Sequence, residues 1–272
     1  LLSVTTPSFD IFGLEAWLPL TSKARVVISS RETALDGRAL AELIEQENVN
    51  ILQATPATWN VLIETGWQGH VGLKALCGGE ALPQVLAEAL LERRCELWNM
   101  YGPTETTIWS TLQKIEKTDD AVSIGEPIVN TRVYILDDQG VPVPPGAIGE
   151  LCIGGEGVSR GYRGQPDLTS DRFVTLDLPG RHGERIYRTG DYARETSAGR
   201  LVYLGRRDFQ VKVRGFRIEL GEIEGQIRTH ENVADCVVTA IARTQNDLEL
   251  VAYVVPAAGQ AVDPGVLRVT LR

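Results

Sequence analysis

The sequence predicts an α/β multidomain chain. It should have a parallel-sheet α/β portion, then a small β unit, then an α+β C-terminal subdomain that is truncated. Three observations carry this expectation. Through the first hundred residues, apolar strand-like runs alternate with helical periods, the pattern of strands joined by covering helices. From about Val122, short strand runs alternate with frequent turn signals, as in a compact all-β unit. After Asp208 a hairpin-like stretch, one helix and two further strands begin a third pattern. The expected boundaries are 1–207 for a partial N-terminal core, with its β unit starting about residue 121, and 208–272 for a partial C-terminal subdomain.

The elements follow in order. Ala39 to Ile44 has helical spacing, and Val49 to Ala54 reads as a strand ending before Pro56. Thr55 can cap the helix that Pro56 opens, because proline at the first helical position loses no needed N–H. Trp59, Leu62 and Ile63 fall on one face of that helix and should point at the core. Leu73 to Cys77 is a second strand, Gly78-Gly79 a turn, and Pro83 to Arg93 a helix. Arg132 to Leu136 is a strand of the β unit, among turns such as Asp137-Asp138-Gln139-Gly140 and Pro144-Pro145-Gly146. A helix from Leu220 to His230 and strands at Cys236–Ala242 and Leu248–Val255 complete the reading. The chain opens at Leu1 in mid-pattern and stops inside another helical pattern, so a longer polypeptide is expected.

Composition excludes several functions. The 272 residues are 43% hydrophobic and 23% charged, as in ordinary soluble globular proteins. A net charge of −9 argues against a nucleic-acid surface, which needs clustered Lys and Arg. Cys77, Cys95, Cys152 and Cys236 lie far apart without a C-x-x-C pair, so neither a zinc site nor a disulfide framework is indicated. No apolar run is long enough to span a bilayer and no signal peptide opens the chain, so a cytoplasmic protein is expected.

Asn99 to Thr107 joins a planar amide, an aromatic ring, a Gly-Pro turn, three threonines and a carboxylate. Such a loop can bind a purine edge, a ring face, a phosphate oxygen and a divalent metal. Further segments are Gly149-Glu150-Leu151-Cys152-Ile153-Gly154-Gly155, Tyr187-Arg188-Thr189-Gly190-Asp191, and Gly205 to Arg217. These four segments, in this order, resemble the ANL adenylating superfamily, and within it the adenylation domains of nonribosomal peptide synthetases.

The resemblance implies roles residue by residue. Asn99 would meet the adenine edge and Tyr101 its face. Thr104 and Glu105 would be the catalytic residues, Thr104 on the α-phosphate and Glu105 on Mg²⁺. Gly79, Glu80, Tyr203 and Arg206 would also border the nucleotide, and Asp191 would accept the ribose hydroxyls. Taken alone, the Asn99 loop reads as a polar surface loop, Asp191 as a turn residue and Tyr203 as a half-buried strand aromatic. Asp208 falls where the family's two domains pivot, and Gln210 to Gly215 would change partners between half-reactions. Gly155 to Gly161 invites a phosphate-loop reading, but its glycine spacing misses the dinucleotide fingerprint and Pro166 stands where a helix should run. A turn supporting the β unit is the better account.

Ser8 to Leu14 resembles the family segment whose Asp pairs with the substrate's α-ammonium, here Asp10. Alone, Asp10 is as readily a helix N-cap. Carrying the family's pocket positions onto the chain gives Asp10, Ile11, Leu14, Gln53, Leu76, Gly78, Met100, Ile108 and Trp109. The set resembles the glycine-activating pattern, because bulky apolar walls leave room for a minimal side chain. Size selection is weak per methylene, so alanine stays open beside glycine.

The resemblance therefore implies ATP-dependent activation of an amino acid, glycine first, as aminoacyl-AMP, followed by transfer to a carrier-protein phosphopantetheine thiol. ATP and Mg²⁺ are the implied cofactors. A carrier-protein domain, neighbouring synthetase domains and a small MbtH-like protein are the implied partners. The family's phosphate loop and catalytic lysine fall outside Leu1 to Arg272, so the chain alone is expected to be inactive. The alternatives are an acyl-CoA ligase-like adenylating enzyme and a non-catalytic nucleotide-binding or interaction fragment.

Overall fold

The structure, a computed structural model, describes residues 1–118, 122–206, 210–213, 216–244 and 247–271. The chain divides into two compact units, Leu1–Arg207 and Asp208–Arg272.

The first unit opens with a seven-stranded sheet. Its strands are β1 (Leu2–Ser3), β2 (Val27–Ile28), β3 (Ile51–Ala54), β4 (Lys74–Gly78), β5 (Glu96–Tyr101), β6 (Thr111–Ile115) and β7 (Glu126–Pro127), in the order β2-β1-β3-β4-β5-β6-β7. Strands β1 to β5 pair parallel with one another, whereas β6 pairs antiparallel with both β5 and β7. Four of the six pairings are parallel, the mostly parallel sheet expected, and the two antiparallel pairings at one edge make it mixed. The connection Gly102 to Ser110 is too short for a parallel crossover, which needs a dozen or more residues, so β6 must return antiparallel.

Helices α1 (Ile11–Thr21), α2 (Arg31–Leu35), α3 (Gly37–Gln46), α4 (Pro56–Glu64) and α5 (Gln84–Glu92) fill the connections. Leu40 and Ile44 of α3, Trp59 and Leu62 of α4, and Leu86 and Leu90 of α5 pack on Leu52, Ala75, Cys77 and Leu97 of the strands. Ile63 joins this core half-buried. Asp36 caps α3 by accepting from the N–H groups of Arg38 and Ala39 at 2.9 and 3.2 Å. Thr55 stands at the cap position of α4, but its side chain makes no capping bond; Pro56 alone marks that start. Strand β1 has β2 on one side and β3 on the other, so the winding reverses there. In open α/β sheets, ligands bind beyond the carboxyl ends of the strands at such a switch point.

The β unit holds β8 (Thr131–Leu136), β9 (Ile148–Gly155), β10 (Phe173–Leu178), β11 (Arg181–Glu195) and β12 (Leu201–Arg206). They form an antiparallel sheet in the order β10-β11-β9-β8, with β12 paired to β11. Leu151, Ile153, Ala193 and Leu201 cluster with Ile124 and Tyr101, which ties this sheet to the end of β5. Helix α6 (Pro166–Arg172) lies between β9 and β10. Pro166 was expected to exclude a helix there; it opens one, at the position that needs no N–H.

In the second unit, β13 (Gln210–Val213) and β14 (Phe216–Glu219) pair as a hairpin before α7 (Leu220–Arg228), β15 (Val233–Thr244), β16 (Asp247–Pro256) and α8 (Pro264–Thr270). Leu220 and Ile227 of α7 bury against Val233, Cys236, Val238 and Leu267. Asp208, Arg214 and Gly215 lie outside the described residues. No helix among the described residues is long and apolar enough to cross a membrane.

Candidate functional site

Strand β5 presents Asn99 and Tyr101 to one face of the sheet and Met100 to the other. Asn99 is buried and its Nδ2 donates to the Ser123 carbonyl at 2.8 Å. One of its two N–H donors is therefore committed; the other N–H and the Oδ1 acceptor are what the amide can offer a purine edge.

After Tyr101 the chain makes a tight loop. A Cβ on Gly102 would collide with the Ile108 carbonyl and with Trp109 Cα, so only glycine fits. Thr104–Thr106 forms a 3₁₀ turn, and Thr107 and Ile108 follow at φ 66° and 69°. Two successive β-branched residues in the left-handed region are strained and persist only when their surroundings hold them. The restraint comes from the segment after β9. Ser159 N–H donates to the Glu105 carbonyl at 2.8 Å, and Thr107 Oγ1 donates to the Gly157 carbonyl at 2.7 Å. The glycine-rich stretch set aside as a phosphate loop is thus a brace for the Thr104–Thr107 turn.

That brace leaves Thr104 exposed and Glu105 buried. Tyr162 donates its hydroxyl to Glu105 Oε1 at 2.6 Å. Burial, then the bond to Glu105, push the Tyr162 hydroxyl's pKa up, so it stays a proton donor. Tyr162 also packs edge-on against Phe173, which in turn meets Tyr187. Sequence reasoning missed Tyr162, because no spacing links it to a loop so far back in the chain.

Asp191 sits on a bulge. The register of β11 against β9 shifts between Arg188 and Tyr192, and Gly190 takes φ 74°. Side chains satisfy the freed backbone groups: Thr189 Oγ1 donates to the Leu151 carbonyl at 2.6 Å and accepts from Asp191 N–H at 2.9 Å. Gly190 N–H donates to Glu150 Oε1 at 3.1 Å. Asp191, buried, accepts from the Tyr101 hydroxyl at 2.5 Å and from Arg206 Nη1 at 3.1 Å. Tyr203 lies 6.2 Å from the Tyr101 ring, centroid to centroid. Burial first, then the Asp191 charge, hold the Tyr101 hydroxyl protonated by pushing its pKa well up. Tyr101, Asp191, Tyr203 and Arg206 therefore form one cluster, with the Tyr101 ring largely in the core.

The positions expected to line a substrate pocket also converge. In the parallel register Gln53 opposes Leu76 and Gly78 opposes Met100, so these four share a face of the sheet. A Cβ on Gly78 would strike the Trp109 indole, so this glycine lets the ring lie on the strand. Trp109 Nε1–H donates to Gln53 Oε1 at 2.8 Å. A Cβ built on Gly79, which has φ 85°, would lie 3.7 Å from Ile11 Cδ1. One built on Gly13 would lie 3.4 Å from Ile108 Cδ1. Leu14 is half-buried on α1, and Glu80 is half-buried directly after Gly79. Asp10 stands at the cap position of α1 but makes no capping bond, which removes the cap alternative for its side chain. Its Oδ2 is buried without a hydrogen-bond partner.

Among the described residues no group of three or more His, Cys, Asp or Glu could hold a metal ion. Glu105 offers one carboxylate, which fits Mg²⁺ as bound by one or two carboxylates together with substrate phosphates.

Fold and sheet order define the class: an α/β protein whose loops gather at the carboxyl ends of parallel strands, the arrangement of nucleotide-binding α/β proteins. The chain belongs to the AMP-binding enzyme family, whose model matches residues 1–163, and within it to the adenylation domains of nonribosomal peptide synthetases. It is 48% identical over 269 residues to a dimodular nonribosomal peptide synthase of Bacillus subtilis (strain 168), covering 98% of this chain and 11% of that protein. It is 42% identical over 260 residues to surfactin synthase subunit 3 of the same organism, covering 93% and 20%. Among solved structures, a four-domain nonribosomal peptide synthetase bound to AMP and glycine shares 47% identity at TM-score 0.73, over 99% of this chain and 20% of that one. A synthetase containing adenylation and PCP domains, bound to a vinylsulfonamide inhibitor, shares 31% identity at TM-score 0.88, over 98% and 47%. The chain thus spans between 11% and 47% of the length of these relatives.

Proposed function

We propose that the polypeptide carrying this chain activates an amino acid, glycine first, as aminoacyl-AMP, and passes it to the phosphopantetheine thiol of a carrier-protein domain. The observation that carries the reading is the buried, unpartnered Oδ2 of Asp10. A carboxylate oxygen held away from water calls for a cation, and an α-ammonium group supplies both charge and N–H donors. Trp109 lying on Gly78 supports a small substrate, because the indole occupies the space that a side chain would need. The solved relative bound to AMP and glycine supports the same choice.

In this reading a substrate carboxylate oxygen attacks the α-phosphorus of ATP, and the bond to the pyrophosphate oxygen breaks. Asp10 anchors the ammonium and so aims the carboxylate, an orientation effect. Thr104 donates to the α-phosphate. Asn99 Oδ1 accepts from the adenine amine. Asp191 takes the ribose hydroxyls within its cluster with Tyr101, Tyr203 and Arg206, and Gly79 and Glu80 complete the nucleotide site. Glu105 would hold Mg²⁺, which when bound neutralises charge on the phosphates. Asp208 would be the pivot between half-reactions. Neighbouring synthetase domains and a small MbtH-like protein are further proposed partners, in the cytoplasm.

The test is amino-acid-dependent pyrophosphate exchange by that polypeptide. Glycine should lead, with alanine lower by about 10–200-fold, the range one methylene contributes. Leading exchange with phenylalanine or leucine would overturn the pocket assignment, and activity only with a carboxylic acid and coenzyme A would support the acyl-CoA ligase alternative.

Glu105→Gln tests the metal role. The amide oxygen can still accept from Tyr162, so the loop should hold while the charge is lost. The Mg²⁺ concentration for half-maximal exchange should rise at least about tenfold, the lower end of what even a ligand's supporting partners contribute. A wild-type Mg²⁺ titration would remove Glu105 from that role.

A further inference from the structure

Glu15, on α1, is fully buried and belongs to none of the positions assigned above. Its Oε2 accepts from Ser3 Oγ at 2.7 Å and from the N–H groups of Val4 and Thr5, each at 3.1 Å. Its Oε1 accepts from Thr5 Oγ1 at 2.5 Å and from Gln53 Nε2 at 3.2 Å. Three of these donors belong to the segment just past the carboxyl end of β1, at the switch point of the sheet. Gln53 Nε2 also donates to the Ile11 carbonyl at 3.2 Å, and Gln53 Oε1 accepts from the Trp109 indole N–H at 2.8 Å.

The arrangement leaves Gln53 one orientation. Its NH₂ faces two acceptors, the Glu15 carboxylate and the Ile11 carbonyl, so its oxygen must face the indole. The Trp109 ring is thereby held against Gly78, where no Cβ could stand. A buried carboxylate with this many donors is satisfied, so it can fix its neighbours without seeking a ligand.

We propose that Glu15 is a positioning residue for substrate size. Through Gln53 it locks Trp109 over Gly78 and so sets how small the activated amino acid must be. The proposal rests on the reading of this pocket as an amino-acid site.

Glu15→Gln is the informative substitution. One carboxylate oxygen becomes an NH₂ group. At the Oε2 position that group would face two backbone N–H donors. At the Oε1 position it would face the Gln53 amine and turn the amide, presenting NH₂ to the indole N–H. In the second case the hold on Trp109 is lost directly; in the first, the unpaired N–H donors of Val4 and Thr5 push the side chain from the seat that aims it at Gln53. In the polypeptide carrying this chain, the alanine-to-glycine ratio of kcat/KM in pyrophosphate exchange should rise about tenfold. AMP binding, measured by calorimetry, should stay within about twofold, since none of these Glu15 hydrogen bonds reaches a residue assigned to the nucleotide. Trp109→Phe removes the N–H donor and keeps an aromatic ring; on that background Glu15→Gln should change the ratio by less than about twofold. If Glu15→Gln also loses AMP binding, Ser3→Ala and Thr5→Val replace it, each removing one side-chain donor and each raising the ratio by about two- to tenfold.

The outcomes separate. A wild-type polypeptide that prefers a large amino acid defeats the functional reading itself. A wild type that prefers glycine, with the ratio unmoved in the Glu15, Ser3 and Thr5 variants, overturns the positioning role alone. Full additivity with Trp109→Phe overturns the relay through Gln53.

Discussion

Asp10→Ala is expected to lower amino-acid-dependent pyrophosphate exchange by about 10²–10³-fold, the equivalent of about 3–4 kcal/mol for losing one partner of a buried, hydrogen-bonded charge pair. The loss should fall on the amino acid. Asp10 makes no capping bond on α1, so removing its side chain takes no hydrogen bond from the helix. Its Oδ2 is already buried and unpartnered, so alanine relieves a desolvated oxygen in the unliganded protein. Stability should therefore hold or rise slightly while the substrate's ammonium loses its counter-charge. The measurement is exchange rate against glycine concentration, alongside AMP affinity. Equal losses in glycine use and AMP binding would make Asp10 a structural residue instead.

Asp191→Ala should have the opposite profile, costing both stability and nucleotide binding. Asp191 and Arg206 have side chains only 6% and 9% exposed, so solvent screens their 3.1 Å ion pair little. Removing the carboxylate takes a buried charge partner from the guanidinium and the Asp191 acceptor from the Tyr101 hydroxyl. Breaking a buried pair in this way costs about 3–5 kcal/mol. A drop of that size in urea unfolding, together with lost AMP binding, is the expected result. Asp191→Asn keeps the shape and one acceptor and should fall between the two. An alanine variant within about 1 kcal/mol of wild type would mean that Arg206 finds another partner and that the cluster is not structural.

Much of the fold was legible because local signals agreed with the final packing. Pro56 opened α4, the Trp59 and Leu62 stripe faced the core, and strand and helix runs alternated as parallel β–α units do. One detail went unread and one reading failed, each for a physical reason. The sheet turned antiparallel after β5 because the Gly102–Ser110 connection cannot cross over. Pro166 opened α6, since proline forbids a helix interior but not its first turn.

The amino-acid sequence by itself determined the family, through motifs whose order is covalent. It also named the chemically distinctive residues, because a carboxylate, an amide or a Gly-Pro turn can be read without coordinates. Partners distant in sequence were decided only by the tertiary structure. Tyr162 reached Glu105, Ser123 took the Asn99 amide, and Glu15 tied the end of β1 to Gln53 and Trp109. Hydrogen bonds are directional and act within a few ångströms, so which donor meets which acceptor depends on register, bulges and helix placement. Those are settled by packing the whole core, and no local stretch of sequence encodes them.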